Sequence, residues 1–465
     1  MRVDTLRLMK RLSQRAHRAT WILAVLAVAV TLAPEQAQAQ QAQRITFDEA
    51  VRIALDQNYF LQVAANNVEM QSISVSQQRW NFWPNLTFSS NAGQNRGRTF
   101  VQELGQNFDL TSNSFNSSFN AGVNVFDGFA NVAGLSQARH QRDASDLDYE
   151  RQRQTVVFTV MSNYLDLIAR REAVRIQEEN VAAQQQLLTQ IEEFVRVGQR
   201  ATADLFQQQA QTAIAEANLL NAERFYQIAE VNLIQTLQLD PFGAYDFVVP
   251  NADDVALVPE QYDVRAMLES AFERRLDLQA SQYDIQAAEQ GIRVAKSGYW
   301  PSIGFGAGTN FRYSDTREGV DFNTQFFDER STSFGFNLNL PLFDRFFTRN
   351  QVQRARVQLR NAQLDLENTR QDIALQVRQA YLDYLTDEKQ LDVTEKQFRA
   401  AEQALEAEQE RYNVGVSTLV ELTGARATFV QASSDQVEAK YSFLFRKKLI
   451  EYYIGVLDPT GQLFE

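Results

Sequence analysis

Residues 297–308 read SGYWPSIGFGAG, and Gly304, Gly306 and Gly308 are where chemistry is first to be sought. A glycine-rich turn that opens a helix can wrap a phosphate with its backbone N–H groups. Yet 217 positions earlier residues 80–91 read WNFWPNLTFSSN, with Trp-Pro and Phe in the same places. Thr87, Ser89 and Asn91 stand there where the glycines stand later. The glycine stretch also runs on to Phe311 and Tyr313 in the same alternation instead of entering a helix. A phosphate loop is the poorer reading.

Other chemistries begin from a thin inventory. The chain has no cysteine, and of its two histidines only His140 lies beyond residue 39. No zinc spacing and no Gly-x-Ser-x-Gly nucleophile turn occurs. The many carboxylates fall on helices whose exposed faces are ordinarily charged. No catalytic residue, cofactor or metal is expected, and an enzyme is the rival reading set aside.

The elements that position these residues come in two copies. At the single offset of 217, Ala54 pairs with Ala271, Leu61 with Leu278, Trp83-Pro84 with Trp300-Pro301, and Phe126-Asp127 with Phe343-Asp344. Val197-Gly198 pairs with Val414-Gly415 and Asp204 with Glu421, while Asp240-Pro241 recurs one residue out of phase as Asp458-Pro459. Such register is a duplication. The expected plan is a first repeat over 40–241, a linker over 242–261 and a second repeat over 262–465. Each repeat holds a helix, a β-hairpin (84–126 or 301–343), a long helix, a tip turn (197–205 or 414–422) and a return helix.

Residues 129–197 and 345–414 contain no proline and are rich in strong helix formers. At 1.5 Å per residue each makes a helix of about 100 Å. Val377, Tyr384, Leu391, Phe398, Leu405 and Tyr412 recur every seven residues, beside Leu359, Leu366, Ile373, Ala380 and Ala401. Sustained heptads predict coiled-coil packing. Val357, Leu364, Leu375 and Leu382 add a second seam, so each helix can touch two neighbours and a ring of helices can close into a tube. A two-helix rod explains only the first seam. Gly198 and Gly415 suit the left-handed end of a helix, and Thr202 and Ser417 or Thr418 are candidate caps for the next one.

The hairpin segments alternate with period two, the mark of strands. Over 302–313, Ile303, Phe305, Ala307, Phe311 and Tyr313 share one face; Gly304, Gly306, Gly308 and Asn310 share the other. Asn337 and Asn339 in 333–342, and Asn120 and Asn124 in 115–125, fall on the corresponding small polar face, with a weaker strand over 86–92. Nearly uncharged Asn, Ser and Gly opposite aromatic and aliphatic residues fit a barrel with lipid outside and water inside. A periplasmic β-sandwich is the alternative. Residues 98–112 and 314–331 are expected as long outer loops. Four strands cannot close a barrel, so the chain is expected to oligomerise. Trp83, Pro84, Trp300, Pro301 and Pro341 mark expected strand–helix junctions, with the indoles at the membrane interface.

At the N-terminus, six basic residues, an apolar run from Trp21 to Ala33 and Ala37-Gln38-Ala39 predict a signal peptide over 1–39. The apolar run is too short to favour the rival reading, a membrane anchor. Removing six basic and two acidic residues leaves 39 and 56, a formal charge of −17. That excess argues against nucleic acid as a partner. Without cysteine, no lipid anchor at the mature N-terminus is expected.

ITFDEAVRIALDQNYFLQ (45–62), NLNLPLFD (337–344) and RYNVGVSTLVEL (411–422), in that order within a duplicated chain, resemble the TolC-type outer-membrane efflux channels. The resemblance spans essentially the whole mature chain. It implies a mainly α fold with a membrane β-barrel, in which three protomers form an α-helical barrel and a twelve-stranded β-barrel. It also implies a passive outer-membrane exit duct, most of it periplasmic, docked to a periplasmic adaptor and an inner-membrane pump. By position, Asp204, Glu421 and Tyr412 would form the tip gate. Val197, Gly198, Val414 and Gly415 would be the adaptor-docking turns. The family's basic residue two past the turn glycine is Arg200 in the first half but Ser417 in the second, and its second tip acid falls on Gly424. A periplasmic coiled-coil structural or adaptor protein is the alternative function.

Overall fold

The computed structural model describes residues 43–101, 105–248, 257–317 and 319–457. The expected signal peptide, residues 249–256 of the expected linker, and the end of the second repeat from Asp458 lie outside them.

Each half opens on a helix broken in two at the same repeat position. In the first half α1 (Phe47–Gln57) gives way to α2 (Tyr59–Trp80). Asn58 at the break accepts bonds from the N–H groups of Phe60 (3.0 Å) and Leu61 (3.3 Å), satisfying donors that a helix start leaves open. Its counterpart at offset 217 is Arg275, between α5 (Val264–Arg274) and α6 (Leu276–Lys296). An arginine cannot accept, and Asp277 caps Leu278 N–H instead, at 3.0 Å. The sequence reading had one helix in each place, because the apolar period continues across the break.

Strands follow: β2 (Asn85–Val101) and β3 (Gln106–Phe126), then in the second half β5 (Ser302–Ser314) and β6 (Ser331–Asn339). They form one antiparallel sheet in the order β2-β3-β5-β6. The hairpin of β2 and β3 stays paired out to Val101 opposite Gln106, where 98–112 was expected to be loop. Arginines and asparagines interrupt the apolar–polar alternation there, so pairing continues without a period to reveal it. The loop after β5 is folded as well. A π turn (Thr324–Asp328) puts Phe326 against Phe115 and Phe311, ring centres 5.2 and 5.4 Å apart.

The long helices are α3 (Ala130–Arg196) and α7 (Phe347–Asn413), 67 residues each, returning through α4 (Thr202–Leu237) and α8 (Leu419–Tyr453). Both begin after two consecutive left-handed residues, Gly128 and Phe129 or Arg345 and Phe346. An aspartate just before takes the first free donors: Asp127 accepts from Asn131 N–H at 2.9 Å and Asp344 from Thr348 N–H at 2.8 Å. The first heptad seam is interior. Ile373, Val377, Ala380 and Tyr384 of α7 pack with Met267, Ala271 and Leu278 and with Phe443, Leu449 and Ile450 of α8. The second seam is not covered: Leu364 and Leu375 are 68% and 66% exposed.

A separate small unit comprises the described residues 43–46 and 240–248. Its strands β1 (Gln43–Ile45) and β4 (Tyr245–Phe247) pair in parallel, Gln43 opposite Tyr245 and Ile45 opposite Phe247. Three-residue strands carry no measurable period, and neither was expected.

Candidate functional site: the small-residue sheet face and the helix tips

The sheet register collects the small polar residues on one face. Gly308 lies between Asn120 and Ser333, Gly306 between Gly122 and Gly335, and Gly304 between Asn124 and Asn337. Asn339 stands opposite Ser302, and Asn310 lies between Ser118 and Ser331. Three glycines thus cross β3, β5 and β6 in a row, leaving the middle of the face bare. The other face pairs Phe305 with Val123 and Phe336, and Ile303 with Leu338. It is open: Phe334, Phe336 and Leu338 are 80%, 74% and 66% exposed. A bulge at Val125 breaks strict alternation and brings Phe126, not Val125, opposite Ile303.

The junction residues behave differently in the two copies. Trp83 and Pro84 lie between α2 and β2, Trp300 and Pro301 between a short 3₁₀ turn and β5, and Pro341 between β6 and α7. Trp80 and Trp83 border a concavity of about 600 Å³ with Asn85, Asn124, Gly304 and Asn337, on the small-residue face. Trp300 lines a separate cleft with Phe129 and Val132.

At the far end the two hairpin turns share one geometry. Gly198 (φ 76°) and Gly415 (φ 79°) follow the C-cap residues Val197 and Val414. Gln199 N–H bonds Phe194 C=O at 2.8 Å and Gly198 N–H bonds Val195 C=O at 3.0 Å. Val416 to Arg411 (2.9 Å) and Gly415 to Tyr412 (3.0 Å) repeat the pattern. Both are Schellman caps, in which glycine takes the left-handed position at no steric cost. Beneath them Leu187, Ile191, Leu419 and Leu422 pack around Tyr412. Ile191 and Leu422 are fully buried, each contributing about 1.5–3 kcal/mol.

The two tip acids are held differently. Glu421 belongs to a capping box with Thr418: Thr418 Oγ1 accepts from Glu421 N–H at 3.3 Å, and Glu421 Oε2 accepts from Thr418 N–H at 2.8 Å. That oxygen also accepts from Thr418 Oγ1 (2.9 Å) and Ser417 Oγ (3.0 Å). The Thr418 backbone bond first, then the two hydroxyls, hold the Glu421 carboxyl below the ordinary glutamate range, so it stays ionised at the solvent-exposed tip. Asp204 is the third residue of α4, but the cap position is Ala201, which has no side-chain acceptor. Thr202, a candidate cap by sequence, is the first helical residue instead. Arg200 links the two turns by lying over the Tyr412 ring, 4.8 Å from its centre. Burial pushes the Tyr412 phenol up, against the pull of Arg200.

Sequence reasoning passed over Ser417 as more than a cap. It is buried, and its hydroxyl also reaches Glu408, which pairs with Arg411 at 2.8 Å. The Thr418-x-x-Glu421 spacing was the available signal for the capping box.

A duplicated hairpin pair on one sheet, with paired long helices ending in matched turns, is a specific arrangement. The sequence profile of the outer membrane efflux proteins matches residues 50–237 and 267–448, one match to each half. The chain belongs to the outer membrane efflux protein family. It is 21% identical over 360 residues to the outer membrane protein TolC of Escherichia coli K12, covering 76% of this chain and 72% of that one. It is 24% identical over 418 residues to protein CyaE of Bordetella pertussis, covering 89% and 84%. The solved Campylobacter jejuni CmeC outer membrane channel superposes with a TM-score of 0.75 at 17% identity, over 90% of this chain and 87% of that one. The efflux protein is thus an outer-membrane channel component of efflux and secretion systems, a transport protein and not an enzyme. Membership implies a trimeric channel that works with efflux pumps.

Proposed function

We propose that three copies join into a passive duct, with twelve strands closing a barrel in the outer membrane and the long helices closing a tunnel beneath it. The observation that carries this reading is the pair of unmet surfaces in one chain. The four-stranded sheet has two open edges and an exposed apolar face, and an open edge has no stable place in lipid. The second heptad seam of α7 is exposed over the same chain. Neighbouring copies satisfy both at once. The face bearing Gly304, Gly306, Gly308, Asn310, Asn337, Asn339, Asn120 and Asn124 then lines the lumen.

At the tip, Asp204, Glu421 and Tyr412 surround the entrance, while Val197, Gly198, Val414 and Gly415 meet the hairpins of a periplasmic adaptor that connects to an inner-membrane pump. Three ionised Glu421 carboxylates in a narrow pore favour cations. The test is single-channel recording of the reconstituted protein. Glu421→Gln keeps an acceptor for Thr418 N–H and removes the charge, so cation preference falls with the fold intact. Unchanged selectivity removes Glu421 from the entrance. Gly415→Trp abolishes co-purification with the adaptor; a complex that survives it removes the turn from the docking surface.

A further inference from the structure

The cleft that holds Trp300 has a chemistry of its own. It has a volume of about 410 Å³ and lies between the start of α3 and the end of α6. Phe129, Val132 and Trp300 form its apolar wall, and Arg293, Lys296 and Gln290 its polar rim. No carboxylate lines it, although the mature chain carries many more acids than bases. Among the described residues neither Arg293 nor Lys296 has an ion-pair partner within 4.0 Å, and both are exposed. The end of a helix favours cations by itself, but it does not set them over an aromatic cleft.

The cleft adjoins the apolar face of the sheet through Phe129. The Phe129 ring stands edge-on to Phe126, 5.3 Å between centres, and Phe126 is opposite Ile303 on the apolar face. Close packing fixes the site: a Cβ on Gly128 would come within 2.6 Å of Ser297 O and 2.9 Å of Trp300 Cβ. The cleft therefore sits where strands give way to helices, which in the barrel proposed above is the level where periplasmic headgroups meet acyl chains.

We infer that this cleft is a binding site for an anionic glycerophospholipid of the periplasmic leaflet, with its phosphate on Arg293 and Lys296 and an acyl chain along Phe129, Val132 and Trp300. Two unpaired cations above an apolar wall complement that one molecule in charge and in polarity. The assignment rests on the barrel reading given above.

Replacing Trp80 and Trp83 by Phe leaves Trp300 as the one tryptophan of the mature chain. That protein is reconstituted into phosphatidylcholine vesicles containing a minor fraction of either dibrominated phosphatidylglycerol or dibrominated phosphatidylcholine, and Trp300 fluorescence is read. Quenching by the brominated phosphatidylglycerol exceeds that by the brominated phosphatidylcholine roughly threefold to fivefold at low ionic strength, as expected for an anionic headgroup near basic side chains. Arg293→Gln with Lys296→Gln removes the excess, and Arg293→Lys with Lys296→Arg keeps it. Inorganic phosphate at matched ionic strength leaves it in place.

Equal quenching by the two lipids, or an excess that survives the Gln pair, overturns the lipid site while leaving the barrel standing. An excess erased by inorganic phosphate makes the cleft a free-anion site and overturns it too. If neither lipid quenches Trp300, the barrel's membrane placement fails, and the site falls with it.

Discussion

The break between α5 and α6 offers a direct test of how the two repeats solve one problem with different residues. Arg275 is buried, its side chain 5% exposed, and it bonds Asp277 through Nε (2.9 Å) and Nη2 (2.5 Å) and Gln376 of α7 through Nη1 (2.9 Å). Removing the acid strands a buried charge, which costs about 3–5 kcal/mol when burial is complete. Asp277 is 29% exposed, so Asp277→Ala is expected at or just below the bottom of that range, about 2–3 kcal/mol. The first repeat supplies the rescue. With Arg275→Asn added, the break acquires the neutral cap that Asn58 provides in its own half, and the double variant is more stable than Asp277→Ala alone.

Acid sharpens the test. Burial pushes the Asp277 carboxyl up, but the bond and charge of Arg275, the charge of Arg151 and the Leu278 N–H outweigh it, leaving a net depression. A depressed acid stabilises the fold above its unfolded pKa of about 3.9, and that contribution is lost as pH falls through the folded value. The assay is the apparent unfolding midpoint of the detergent-solubilised protein, followed by circular dichroism at one scan rate and several pH values. The gap between the parent and Asp277→Ala is largest at neutral pH and closes in strong acid. A gap below about 0.5 kcal/mol at neutral pH, the size of an ordinary surface change, refutes the reasoning. So does a double variant no better than the single one.

Three further outcomes follow from local geometry. Asp284→Asn raises the midpoint at neutral pH, because burial and the charge of Asp365 lift its pKa; the gain vanishes as pH falls below about 3.9, where the acid is neutral in both states. Gly128→Ala destabilises the first junction by more than the roughly 1–2 kcal/mol of left-handed strain, owing to the Ser297 and Trp300 contacts, whereas Arg345→Gly relieves about 1 kcal/mol at the equivalent site, both read as midpoint shifts. Tyr384→Phe removes a hydroxyl that donates to Glu260 C=O (3.1 Å) and accepts from Glu260 N–H (2.8 Å); it costs about 1–3 kcal/mol and speeds amide exchange at Glu260.

The long elements were legible because their periods are long. Heptads sustained from Leu359 to Tyr412 cannot be mistaken, and neither can the alternation of Phe334, Phe336 and Leu338 with Gly335, Asn337 and Asn339. The breaks at Asn58 and Arg275 were not, since a cap replaces one turn of hydrogen bonds without disturbing the apolar stripe. The upper part of the β2–β3 hairpin was missed for the opposite reason: backbone pairing persists where the side chains carry no pattern. At the tips the left-handed glycines followed from their place after the helices. The grip of Ser417 on both Glu408 and Glu421, and Arg200 lying on Tyr412, join residues from separate turns or helices, and only the folded chain brings them together. SGYWPSIGFGAG changes meaning in the same way: its Gly306 meets Gly122 and Gly335 across the sheet, and the row leaves the middle of one sheet face bare in place of an anion cradle.

The equal length of α3 and α7 has a consequence for how this chain can vary. Each added residue lengthens an α-helix by about 1.5 Å and turns everything beyond it by about 100°. One insertion in α3 alone would lower the first tip relative to the second and rotate Val197 and Gly198 away from the direction that Val414 and Gly415 keep. The two copies therefore gauge each other's length. Substitutions can accumulate in either half independently, but the residue count between junction and tip is free to change only in both halves together, or in whole turns compensated on the return helix.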